Sequence, residues 1–90
     1  MRMSEKLKQY VKERDEMLLK RDVGELRKFV IYHKHDINPD VRLALISATD
    51  EVLEITLHKM IVNCTSLPFN FRQESADWLF DRCYRLDIGE

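Results

Sequence analysis

Ninety residues contain only two glycines, Gly24 and Gly89, and two prolines, Pro39 and Pro68. A β-rich chain must turn roughly every 8–12 residues and draws heavily on Gly and Pro to do so. Four such residues cannot punctuate a sandwich or a barrel, so their scarcity selects helices. The expected fold is all-α: a compact bundle of four to five helices around one core, with residues 1–90 as a single helical domain. The apolar content of 44% and charged content of 34% are those of an ordinary globular chain with enough Leu, Ile, Val and aromatic residues to build that core.

Start signals divide the chain. Ser4 with Glu5 behind it predicts the N-terminus of a first helix, along which Leu7, Tyr10, Val11, Met17 and Leu18 recur at helical spacing. Arg14 interrupts that stripe and is expected to lie along it with its head in water. Asp22 and Glu25 have capping-box spacing and predict a second helix with Leu26, Phe29, Val30 and His33 on its apolar side. The short gap pairs these two as an antiparallel hairpin. Asn38 followed by Pro39 opens a third element. Asp50, Glu51 and Glu54 gather after Ser47 and Thr49, which favours a short helix at about 40–47 leading into a main helix at about 50–63. One long helix over 39–63 is the alternative. Two apolar stripes, Val52 with Ile55 and Leu53 with Leu57, Met60, Ile61 and Cys64, make the main helix central.

The last element begins near "SLPFNF", residues 66–71. Asn70 and Gln73 have capping-box-like spacing, and Pro68 is also allowed in a first helical turn. Ala76, Leu79, Phe80 and Cys83 make one face; Phe71 and Trp78, seven apart, share another. Leu67, Phe69 and Phe71 read as anchors that fold the loop onto the preceding helix. Phe69 or Phe71, with Trp78 and the restriction imposed by Pro68, forms a candidate structural clamp onto Leu53, Leu57, Met60 and Ile61. The rival reading makes these aromatics an exposed patch for a partner.

Chemistry is sparse. His33 and His35 are two apart, on different sides of a helix, and no Cys-x-x-Cys occurs, so no metal is expected. Cys64 and Cys83 lie on apolar stripes and read as buried small hydrophobes. Glu54 and His58, four apart, read as a surface pair. Gly24 and Gly89 cannot form a phosphate loop. No catalytic residue, cofactor or small-molecule substrate is expected, and the chain reads as non-enzymatic. The N-terminus "MRMSEKLKQY" has no apolar leader core, and no run approaches a membrane span; a cytoplasmic location follows.

The net charge of −1 is unevenly spread. Residues 1–35 hold ten Lys/Arg against six Asp/Glu, giving +4; residues 36–90 hold five against ten, giving −5. Opposite-sign halves suit association with another protein or with a second copy as a homodimer. Nucleic-acid binding by the basic helices is the second reading, with Arg21, Arg27, Lys28 and Lys34 as the candidate interaction surface. Interleaved acids and a pI near 6.3 dilute that field.

The order Thr65–Ser66–Leu67–Pro68, Phe71–Arg72, Trp78–Leu79, Arg82–Cys83–Tyr84 resembles small, largely uncharacterised helical proteins of bacteriophages and mobile elements of Gram-positive bacteria. Those often read Leu-Pro, then Arg, then Trp-Leu, and end in Arg-Gly-Tyr; Cys83 stands in the place of that glycine. "ERDEMLLKRDVGEL" looks like the start of such proteins, whereas residues 34–50 lie outside the likeness. The resemblance covers about two-thirds of the chain and implies an accessory protein acting in the cytoplasm of a bacterial host. It brings no catalytic residues.

Overall fold

A computed structural model describes residues 4–82. Five helices follow in order: α1 (Glu5–Lys20), α2 (Val23–Tyr32), α3 (Pro39–Ser47), α4 (Asp50–Asn63) and α5 (Phe69–Asp81). The break between α3 and α4 decides the question left open by the sequence.

Side chains cap the first four helices. Ser4 Oγ accepts from Leu7 N at 3.1 Å, and Asp22 Oδ2 accepts from Glu25 N at 3.0 Å. Asn38 and Thr49 accept from Asp40 N and Val52 N. Each satisfies an orphan donor of a first turn. A Cβ on Gly24 would lie 3.0 Å from the same Asp22 oxygen, so glycine leaves room for the cap of α2. Arg21 ends α1 in the left-handed region at φ 49° and donates its N–H to Leu18 O. That residue and Asp22 alone separate α1 from α2, as a tight hairpin requires.

α5 departs from its expected start. It begins at Phe69 behind Pro68, which sits at the N-cap with φ −58° and makes no side-chain cap bond. Asn70 therefore lies inside the first turn rather than capping it, and Gln73 donates onward to Asp77 at 3.0 Å.

Met17 and Leu18 of α1, Leu26, Phe29 and Val30 of α2, and Leu53, Leu57 and Ile61 of α4 form the core, joined by Cys64 and Leu67. α4 packs on α1, α2 and, most extensively, α5, which makes it the central element. α3 packs chiefly on α2 and has no buried residue. Among the described residues no helix is long and apolar enough to cross a membrane.

Three local expectations are corrected. Arg14 does not put its head into water: it donates to Asp15 Oδ1 at 2.9 Å and approaches Cys64 Sγ at 3.4 Å. Asp15 is the hub of that cluster, accepting also from Ser66 Oγ at 2.8 Å and from the Cys64 thiol. Burial pushes the Asp15 carboxyl up, but the bonds from Ser66, Arg14 and Cys64 outweigh it and hold it below the usual range. Cys64 is thus buried, as expected, but at a polar edge. His58 does not pair with Glu54 at the surface; it is buried against α5. Phe80 does not share a buried face with Leu79 and is 75% exposed. Cys83 lies outside the described residues.

Candidate functional site

α5 carries two faces, and they do different things. The inner face holds Phe71, Ser75, Trp78 and Leu79. Ser75 is fully enclosed and its Oγ lies 2.9 Å from His58 Nδ1. Trp78 lies flat on the His58 ring, with centroids 4.0 Å apart and planes at 14°. Arg82 also stacks on the indole, its guanidinium 4.0 Å from the ring centroid. Burial, then the positive charges of Arg21 and Arg82, push His58 down to about 4, so the ring is neutral at pH 7. The pair resembles a nucleophile with its base only in composition, because the enclosed Ser75 hydroxyl cannot meet a substrate.

Arg21 fixes the other end of this face. Its guanidinium lies 4.0 Å over the Phe71 ring, donates to Phe71 O at 2.8 Å and reaches Glu74 at 3.1 Å. The clamp foreseen from the sequence therefore takes another form. Trp78 and Phe71 hold α5, the first through His58 rather than the Leu53–Ile61 stripe, the second under Arg21 and against the core edge. Phe69 takes no part and is 66% exposed.

The basic residues singled out in the sequence are dispersed. Arg27 donates to Ala48 O at 2.6 Å and pairs with Asp50, tying α2 to the start of α4. Arg21 is engaged with α5. Lys28 and Lys34 remain exposed on and just after α2. His33 is buried, with Nδ1 3.0 Å from Asp36 and Nε2 3.2 Å from Glu13. The bond to His33, with Lys6 nearby, holds the Asp36 carboxyl below its usual range. Among the described residues no group of three or more His, Cys, Asp or Glu is placed to hold a metal.

The outer face of α5 exposes two large aromatics, Phe69 and Phe80. Phe69, Arg72, Gln73, Ala76, Asp77 and Phe80 follow the i, i+3, i+4, i+7, i+8, i+11 pattern of one helix stripe. They line a groove of about 420 Å³ whose far wall is Val62, Asn63 and Thr65 at the end of α4. The two phenylalanines stand at its ends, roughly 16 Å apart at 1.5 Å per residue. Val62 is buried and Ala76 half-buried between them, giving an apolar floor. Arg72 anchors its stem by donating from Nε to Leu67 O at 3.2 Å, which leaves both terminal nitrogens without a hydrogen bond among the described residues. A larger groove of about 570 Å³ between α1 and α2 is floored by Met17 and Phe29 and rimmed by Glu13, Glu16, Lys20 and Lys28. Its mixed charges point in no one direction.

The i, i+11 spacing of Phe69 and Phe80 is visible in the sequence, where the two read as an anchor and a core residue. The sequence does not mark Arg72, Ala76 and Asp77 as a surface, because that depends on which stripe of α5 faces α4. No protein-family model, curated protein or solved structure matches this chain.

Proposed function

We propose that this chain is a non-enzymatic protein-interaction module whose docking surface is the groove between the outer face of α5 and the end of α4. One observation carries the reading: Phe69 and Phe80, exposed by 66% and 75%, flank an apolar floor on a single helix stripe. Large exposed aromatics around a concave apolar strip are the usual anchors of protein contacts. The inner face already has its own aromatics, Phe71 and Trp78, so the outer pair is not needed to hold the helix. The sequence likeness to phage and mobile-element proteins supports an accessory role in a bacterial cytoplasm. Nucleic-acid binding has less support, because Arg21 and Arg27 are engaged with α5 and α4.

Capture experiments with tagged wild type and a Phe69→Ser/Phe80→Ser variant test this reading. Wild type is expected to retain a protein, another copy included, that the variant releases while melting at the same temperature. A wild type that retains nothing, or a variant that retains the same protein equally, overturns it.

A further inference from the structure

The geometry points to a second copy of this chain as the occupant of the groove. In this arrangement the two α5 helices lie parallel about a two-fold axis, and Arg72 of each copy faces Asp77 of the other. The inference rests on reading the groove as a docking surface, and it names the partner.

The outer stripe has the register of a two-stranded coiled coil. Phe69, Gln73, Ala76 and Phe80 are spaced four, three and four residues apart and so fall at successive d, a, d and a positions. Arg72 and Asp77 then fall at g and e, on opposite flanks of the seam and five residues apart. In a parallel pair, a g residue meets the e residue five positions later on the partner helix. Arg72 and Asp77 have opposite charge at that spacing, so two symmetric ion pairs form. An antiparallel pair would instead bring g flank to g flank and e flank to e flank, setting Arg72 near Arg72 and Asp77 near Asp77. The charges therefore select the parallel orientation.

The free groups in one copy match what the other supplies. Among the described residues, the terminal nitrogens of Arg72 make no hydrogen bond, and Asp77 accepts only a neutral amide, that of Gln73, through one oxygen. Gln73 meets its own counterpart at a central a position, where a polar side chain fixes register. Ala76, small, lets the helices approach closely. Four phenylalanine rings, each with most of its surface free, bury on the order of 600 Å² when they meet. With the exposed Gln73 and Asp77 side chains and the Arg72 stems the total moves toward about 1,000 Å², the lower bound of a specific interface. The expected dimer is accordingly weak, with a dissociation constant on the order of micromolar.

Sedimentation velocity across a concentration series tests this with four proteins: wild type, Arg72→Glu, Asp77→Lys and the double variant Arg72→Glu/Asp77→Lys. Wild type should pass from monomer to dimer as concentration rises. Each single variant sets like charges against each other twice, and its dissociation constant should rise by about tenfold or more. The double variant exchanges both signs in one chain and should regain the dimer, which a loss of folding could not mimic. Phe80→Ser, a change at an exposed position, should abolish the dimer with an unchanged melting temperature. A wild type that stays monomeric to about 1 mM, single variants that dimerise as well as wild type, or a double variant as weak as the singles overturns the inference. Retention by wild type alone of a different protein, lost on replacing both phenylalanines, would then leave the docking reading standing without self-association.

Discussion

The indole of Trp78 lies 4.0 Å from the imidazole of His58 at 14°, and the nitrogen that His58 turns inward is bonded to the enclosed Ser75 hydroxyl. One aromatic contact thus covers a buried polar pair on the boundary where α4 and α5 meet. Trp78 does not fill the core; it seals its edge.

Trp78→Ala should therefore destabilise, but by less than loss of a fully buried tryptophan. The indole is half-buried, so about 2–3 kcal/mol is expected against the ~3–5 kcal/mol typical of a core position. A thermal melt followed by far-UV circular dichroism reads it. A variant as stable as wild type would assign Trp78 to a binding surface instead.

His58 makes stability depend on pH. Its pKa falls to about 4 in the folded chain and stands near 6.5 when unfolded. Between those values the unfolded state binds the extra proton, so stability is highest above 6.5 and is lost as pH falls toward 4. The slope is at most about 1.4 kcal/mol per pH unit, the linkage of one proton. Urea denaturation of wild type and His58→Gln at pH 7 and pH 5.5 isolates the effect. The difference between the two proteins should shrink at the lower pH; a constant difference refutes it.

Asp15 serves three donors from two parts of the chain. Asp15→Ala leaves the part-buried Arg14 guanidinium without its carboxylate and frees Ser66 and Cys64, at a cost of about 2 kcal/mol. Asp15→Asn should recover part of that through its remaining acceptor. Chemical denaturation midpoints decide it, and equal midpoints for Asp15→Ala and wild type would show that the network contributes nothing.

Arg27→Ala should cost about 1 kcal/mol by leaving the Ala48 carbonyl and Asp50 without their donor. Arg27→Lys should not rescue it, because one ammonium cannot span two acceptors as a planar guanidinium does. The check is a thermal melt of both variants.

Much of this fold was legible because caps are local. Ser4, Asp22, Asn38 and Thr49 each bond a backbone N–H two or three residues on, and a sequence displays such pairs directly. The acids after Thr49 mark a fresh N-terminus, which makes the α3–α4 break legible in the sequence. Side-chain fates on α4 and α5 were harder. Spacing gives the angle of Phe69, Phe71 and Phe80 around their helix, but not which angle meets α4. Glu54 and His58 have ideal spacing for a surface pair, yet Ser75, seventeen residues away, takes the imidazole. Asn70 has the chemistry of a cap but lies two residues too deep, because Pro68 takes the cap position ahead of it.

The bonds that Asp15 and Arg21 make to residues about fifty positions later bear on the order in which the chain folds. Contacts within α1–α2 and within α4–α5 close short loops and can form early; those from Asp15 to Ser66 and from Arg21 to Phe71 close long ones. If the long loops close after the rate-limiting barrier, replacing either side chain should leave the folding rate nearly as it was and accelerate unfolding. The lifetime of the native state would then depend on two charged side chains that tie one helical hairpin to the other, alongside the apolar interior that both hairpins share.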